Sequence, residues 1–116
     1  MPVKEINAQQ LKELLHDRDK LEIIDVREPE EYRIIHIKGA KLIPMNELEA
    51  RLDEIDWNNI VVFVCRSGAR SGVMARLVAS AGHDVKNLHG GIFECYQDKE
   101  CSDLEVLETE VEGYFG

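Results

Sequence analysis

The chain has no apolar run approaching the ~20 residues that a membrane-spanning helix needs, so no transmembrane segment is expected. Its opening, Met1-Pro2-Val3-Lys4-Glu5-Ile6, has no long apolar stretch either, which argues against a secretory signal. Positive charge is scarce: 14 Lys and Arg stand against 23 Asp and Glu, a net of −9. A nucleic-acid binder needs a basic footprint, so no nucleic-acid partner is expected. Cysteine is scarce too, at Cys65, Cys95 and Cys101. An odd count without repeated spacing is a poor disulfide framework. There is no C-x-x-C, and His16, His36, His83 and His89 are scattered, so neither a zinc site nor any other metal or cofactor is expected. A reducing, cytoplasmic compartment fits this usage. Collagen, coiled-coil, low-complexity and repeat patterns are all missing.

What is present is one domain's worth of chain. Its 116 residues are 44% hydrophobic and 32% charged, an ordinary globular balance. A chain of this size buries about two-thirds of its unfolded surface, enough for a core without staples.

Periodicity gives the elements. Asn7 caps a helix, with Gln10 placed to reach back and Leu11, Leu14 and Leu15 forming its stripe. Leu21–Val26 reads as a buried strand. Pro29 suits the first turn of a short helix. Lys41–Pro44 reads as a short strand, and Asn46 with Glu49 starts a helix whose stripe is Leu48, Leu52 and Ile55. Ile60-Val61-Val62-Phe63-Val64, β-branched or aromatic throughout, is the strongest strand and reads as a central parallel one. A helix follows over Ser71–Ala81, stopped by Gly82. Val85–Leu88 is another strand, and Gly90-Gly91 opens a helix through about Gln97. Strands alternating with helices predict an α/β fold with a mainly parallel sheet.

Residues 99–116 form an acidic extension, separate from a domain over 1–98. Between 98 and 116 seven acids stand against Lys99 alone. Ser102 and Glu105 make a capping pair, and Leu104, Leu107 and Val111 fall at helical spacing, which predicts a docked helix with a solvated acidic face. A partner-binding or disordered tail is the alternative.

Charge points to the chemistry. Residues 60–90 carry Arg66, Arg70, Arg76 and Lys86 against Asp84, a basic stretch in an acidic chain. Within it, a buried strand ends at Cys65, and the loop Arg66-Ser67-Gly68-Ala69 leads into a helix near Arg70 and Ser71. In open α/β sheets, ligands bind beyond the carboxyl ends of the strands. Gly68 and Ala69 allow a tight loop whose N–H groups converge on one point. The helix dipole and the two arginines favour an anion at that same point. Each of these favours a thiolate, and cysteines so placed have lowered pKa values.

Cys65-Arg66-Ser67-Gly68-Ala69-Arg70-Ser71 closely resembles the active-site loop of rhodanese-like sulfurtransferases. Asp25-Val26-Arg27-Glu28-Pro29-Glu30-Glu31-Tyr32 resembles that family's D-V-R-x-x-x-E-[YF], His36-Ile37-Lys38-Gly39-Ala40 its H-I-x-G-A, and Leu88-His89-Gly90-Gly91-Ile92 its L-x-G-G-[IF]. The four motifs span roughly residues 5–96. The resemblance implies a three-layer fold with a parallel sheet of about five strands. It implies a Cys65 persulfide that takes sulfur from a donor such as thiosulfate and hands it to cyanide or a thiol, such as that of a thioredoxin-like or sulfur-relay protein. The N–H groups from Arg66 to Arg70 then cradle the persulfide, Arg66 and Arg70 attract the anionic donor, and Asp25 and Arg27 buttress the loop. His36 is read as structural, since a thiolate needs no general base.

Two features depart from the family pattern. Cys95 stands where the family often has tryptophan, which leaves a resolving role for Cys95 or Cys101 open. The acidic tail is outside the resemblance. A persulfide carrier, sensor or protein-binding module without activity of its own is the alternative reading. A cysteine phosphatase or arsenate reductase fits less well. Those loops have five residues between Cys and Arg, commonly with His before the Cys; here there are four, after Val64.

Overall fold

The computed structural model describes residues 2–98 and 103–116. Five strands form the central sheet: Lys4–Ile6 (β1), Leu21–Asp25 (β2), Lys41–Leu42 (β4), Ile60–Val64 (β5) and Lys86–Leu88 (β6). Their order is β1-β6-β5-β2-β4, and every pairing is parallel. The expected α/β architecture, a five-stranded parallel sheet flanked by helices, is what the chain adopts. β5 lies at the centre, in register with β2 from Leu21↔Ile60 to Asp25↔Val64.

The apolar run of β5 follows from that position, since both of its faces are covered. Val62 and Val64 enter one core with Leu11, Leu88, Ile92 and Cys95. Val61 and Phe63 enter the other with Ile43, Ala75, Val78 and Ala79. The first core lies under the helices Ala8–Leu14 (α1) and Gly91–Gln97 (α4), and the second under Ala69–Ser80 (α3). Cys65 continues the row of Val61 and Phe63, and so ends its strand on the α3 side.

Local chemistry sets the element ends. Asn7 and Gln10 bond reciprocally across the first turn of α1, each at 2.8 Å. Pro29 opens the helix Pro29–Ile34 (α2). Among the described residues no helix is long and apolar enough to cross a membrane.

The expected helix capped by Asn7 is present as α1, and just ahead of it β1 is a strand that no sequence expectation covered, formed by its pairing with β6. Two local expectations are corrected. Residues 49–54 form 3-10 turns in place of a continuous helix. Leu48 and Ile55 still point inward, but Arg51 leaves helical geometry (φ −121°, ψ 20°) and bridges Glu47 and Glu54. In the tail, Leu104–Val106 is a strand (β7), paired antiparallel with Ile35–Ile37 (β3). Among the described residues of the tail, only Val111–Phe115 (α5) is helical, and Ser102 lies outside them. β3 offers a free edge, and a ladder along it satisfies backbone groups that a surface helix would leave to water. Val111 of α5 is buried in the first core.

Candidate active site

The site is built where β5 gives way to α3. Cys65 is 1% exposed, and Gly68 donates its backbone N–H to Sγ at 3.1 Å. The outer side of the loop is anchored: Ile92 and Phe93 donate backbone N–H groups to the carbonyls of Cys65 and Arg66, both at 3.0 Å. With those carbonyls turned to α4, the N–H groups of Ser67, Gly68 and Ser71 are left for the sulfur. Burial pushes the Cys65 thiol up, but the hydrogen bonds offered to it by the loop outweigh burial and hold the thiol below its ordinary value.

Two glycines make this close packing feasible. Gly68 has φ +97°, and a Cβ there would lie 2.9 Å from the Leu88 carbonyl oxygen. Gly91 has φ +62°, and a Cβ would lie 2.4 Å from the Arg66 oxygen and 2.6 Å from the Cys65 oxygen.

Of the expected site residues, Arg66, Ser67, Gly68, Ala69, Arg70 and Ser71 all sit around Cys65, but the two arginines are already engaged. Arg70 forms a two-pronged ion pair with Glu31, 2.8 Å at each prong. Arg66 lies over the rings of Phe93, Tyr114 and Phe115 at 5.7–5.9 Å, with Nη2 3.4 Å from the Phe115 carbonyl. Arg70 still lends its charge to Cys65.

Asp25 and Arg27 are both fully buried and form a bidentate pair, Nε to Oδ1 at 2.9 Å and Nη2 to Oδ2 at 2.7 Å. Arg27 also donates to the Ile35 carbonyl and to Tyr114 Oη, at 2.6 and 3.1 Å. Tyr114 Oη in turn donates to Glu31 Oε1 at 2.7 Å. The buried pair thus reaches the loop through Tyr114, Glu31 and Arg70. His36 stacks on Tyr32 at 3.9 Å, with Nδ1 2.8 Å from the Tyr32 carbonyl, in a purely structural setting. Cys95 is buried in the core, and Cys101 lies outside the described residues.

Four further residues contribute to the site beyond those expected from sequence. Glu31 stands inside a quoted motif, but nothing local says which arginine it meets. Asn87 was a visible signal, a polar residue within an apolar strand. Its Nδ2 donates to the Gly68 carbonyl and to Glu5 Oε1, at 3.1 and 2.9 Å, while Oδ1 lies 2.6 Å from Ser71 Oγ. Tyr114 and Phe115 come from the tail and carry no local mark of their role.

Comparison with known proteins agrees with this geometry. A rhodanese-like domain model matches residues 7–98. YrkF of Bacillus subtilis, named as a candidate sulfur carrier protein, is 38% identical over 80 residues, 69% of this chain. The chain spans only 43% of that protein's length. A sulfurtransferase of Allochromatium vinosum is 36% identical over 91 residues, 78% of this chain and 85% of that one. The crystal structure of a rhodanese-like domain protein from Staphylococcus aureus superposes with a TM-score of 0.75 at 31% identity, covering 90% of this chain and 99% of the other. These relatives support sulfur transfer as the general chemistry. With a cysteine-headed loop between β5 and α3, and a family match over residues 7–98, the chain belongs to the rhodanese-like domain family.

Proposed function

We propose that this protein is a sulfurtransferase that carries one sulfane sulfur on Cys65. The carrying observation is the placement of Sγ, beyond the end of a central parallel strand and 3.1 Å from the Gly68 N–H, in a loop whose carbonyls are turned away onto α4. The donor is a small anion such as thiosulfate. The Cys65 thiolate attacks its outer sulfur, the S–S bond breaks with its electron pair leaving on sulfite, and Cys65 becomes Cys–S–S⁻. A thiophilic acceptor, cyanide or a thiol, then attacks the outer sulfur and regenerates the thiolate. The thiol acceptor we propose is one on a thioredoxin-like or sulfur-relay protein.

The same geometry speaks against phosphate chemistry. Arg70 is paired with Glu31 at both prongs, so its fork is not offered to a phosphate.

The test is intact mass after thiosulfate treatment. The wild type gains the mass of one sulfur atom and loses it to cyanide as thiocyanate. Cys65→Ser gains nothing and makes no thiocyanate while keeping its circular dichroism. Substantial thiocyanate turnover by folded Cys65→Ser would overturn the mechanism.

A further inference from the structure

The Ser71 hydroxyl lies between two groups and has one proton for both. Its Oγ is 2.6 Å from Asn87 Oδ1 and 3.3 Å from Cys65 Sγ, and Ser71 is fully buried. Asn87 Oδ1 carries no hydrogen. Its orientation is fixed by the other end of the amide, where Nδ2 meets two acceptors, the Gly68 carbonyl and Glu5 Oε1. A flipped amide would set an oxygen against both of them. At 2.6 Å the Ser71 proton must therefore lie on the line to Asn87. Toward Cys65 the hydroxyl then presents lone pairs only. That face suits a sulfur bearing a proton, or one that is neutral, and it opposes a bare thiolate.

We infer that Asn87 is a positioning residue which withholds the Ser71 hydroxyl from the Cys65 thiolate and so favours the sulfur-loaded form of the site. The inference rests on the reading of Cys65 as sulfur carrier. In Cys–S–S⁻ the negative charge sits on the outer sulfur, among the loop N–H groups. The inner sulfur is neutral and has no proton, and it accepts the lone pairs of Ser71 without penalty. In the unloaded enzyme a thiolate can recruit the hydroxyl only by pulling it from Asn87, which leaves two buried oxygens facing each other at 2.6 Å. Among the described residues, Arg70 of α3 acts electrostatically on Cys65, while Glu5 of β1 lies behind Asn87, with His89 4.0 Å from it.

The test follows the thiolate of Cys65 by its ultraviolet absorbance against pH, taken as the difference from Cys65→Ser, in unloaded protein of confirmed fold. No sulfur transfer is needed for this reading, so it can fail or succeed independently of the proposed function. In Asn87→Ala the hydroxyl is released to the sulfur, and the midpoint falls by about one pH unit. Ser71→Ala leaves the midpoint unchanged or lower, because the hydroxyl it removes was not serving the thiolate. Asn87→Ala combined with Ser71→Ala titrates like Ser71→Ala alone. A rise of the midpoint in Ser71→Ala would overturn the inference, as would no fall in folded Asn87→Ala. If Asn87→Ala does not fold, Ser71→Ala decides by itself. A second readout is the loaded protein: its persulfide reacts with cyanide several-fold faster in Asn87→Ala than in wild type, and equal rates would count against the inference.

Discussion

Glu31 of α2 grips Arg70 of α3 across 39 positions of sequence, both guanidinium prongs at 2.8 Å. The same carboxylate also accepts the Glu28 N–H at 2.9 Å and the Tyr114 hydroxyl at 2.7 Å. Burial pushes the Glu31 carboxyl up, but Arg70, Glu28 and Tyr114 outweigh it and hold the group at about 2, against an ordinary 4.5. A carboxyl lowered in this way adds stability that is full above its unfolded value and is lost as pH falls from 4.5 toward 2. Glu31→Gln should therefore cost about 1–2 kcal/mol at neutral pH, after allowing for solvent screening. The gap from wild type should narrow steadily below pH 4.5 in denaturant titrations. A constant gap down to acid pH would mean that the ion pair is not the source.

The Asp25–Arg27 pair is wholly buried, so removing one partner strands the other. Asp25→Asn should destabilise the protein by about 3–5 kcal/mol, because the Arg27 charge is then buried without compensation. Urea unfolding at neutral pH reads this directly. A loss under 1 kcal/mol would mean that Arg27 finds another anion or water.

Gly91 lets α4 lie against the loop. In Gly91→Ala the new Cβ would meet the carbonyls of Arg66 and Cys65 at 2.4–2.6 Å, at a φ that alanine rarely adopts. The loop must shift, and with it the N–H groups that face Sγ. Sulfur transfer should fall at least tenfold in protein that still folds, and unimpaired thiocyanate production would show that the loop tolerates the shift.

The tail touches the site as well as the core. Tyr114→Phe keeps the ring beneath Arg66 but removes an acceptor from Arg27 and a donor from Glu31. It should cost about 1–2 kcal/mol. Truncation before residue 103 should lower the melting temperature by several degrees, since it takes away β7 and buried Val111. It should also reduce sulfur transfer, because Arg66 loses its seat on Tyr114 and Phe115. Unchanged activity in a folded truncation would confine the tail to stability.

Much of this protein is local and therefore legible in its residues. The run Ile60–Val64 must be buried on both faces, so it marks the sheet centre. Asn7 with Gln10 and Pro29 mark helix starts through bonds or torsions made within one turn. Cys65 followed by Arg66-Ser67-Gly68-Ala69-Arg70 states the loop, because its geometry depends on its own short length and on Gly68. The partners of that loop are a different matter. Leu104, Leu107 and Val111 suit a helix by spacing, yet Leu104 goes into a strand because β3 has an edge to fill. Arg66 and Arg70 look alike as cations beside a thiolate, but one rests on aromatic rings of the tail and the other is gripped by Glu31. Asn87 is a polar residue in a strand until the packing of β6 beside β5 brings its amide against Ser71. Sequence by itself determined the strand–loop–helix that presents Cys65, since the forces there act within a few residues. Only the tertiary structure decided which distant carboxylate, amide and rings hold that loop, because those contacts exist only once separate segments are packed together.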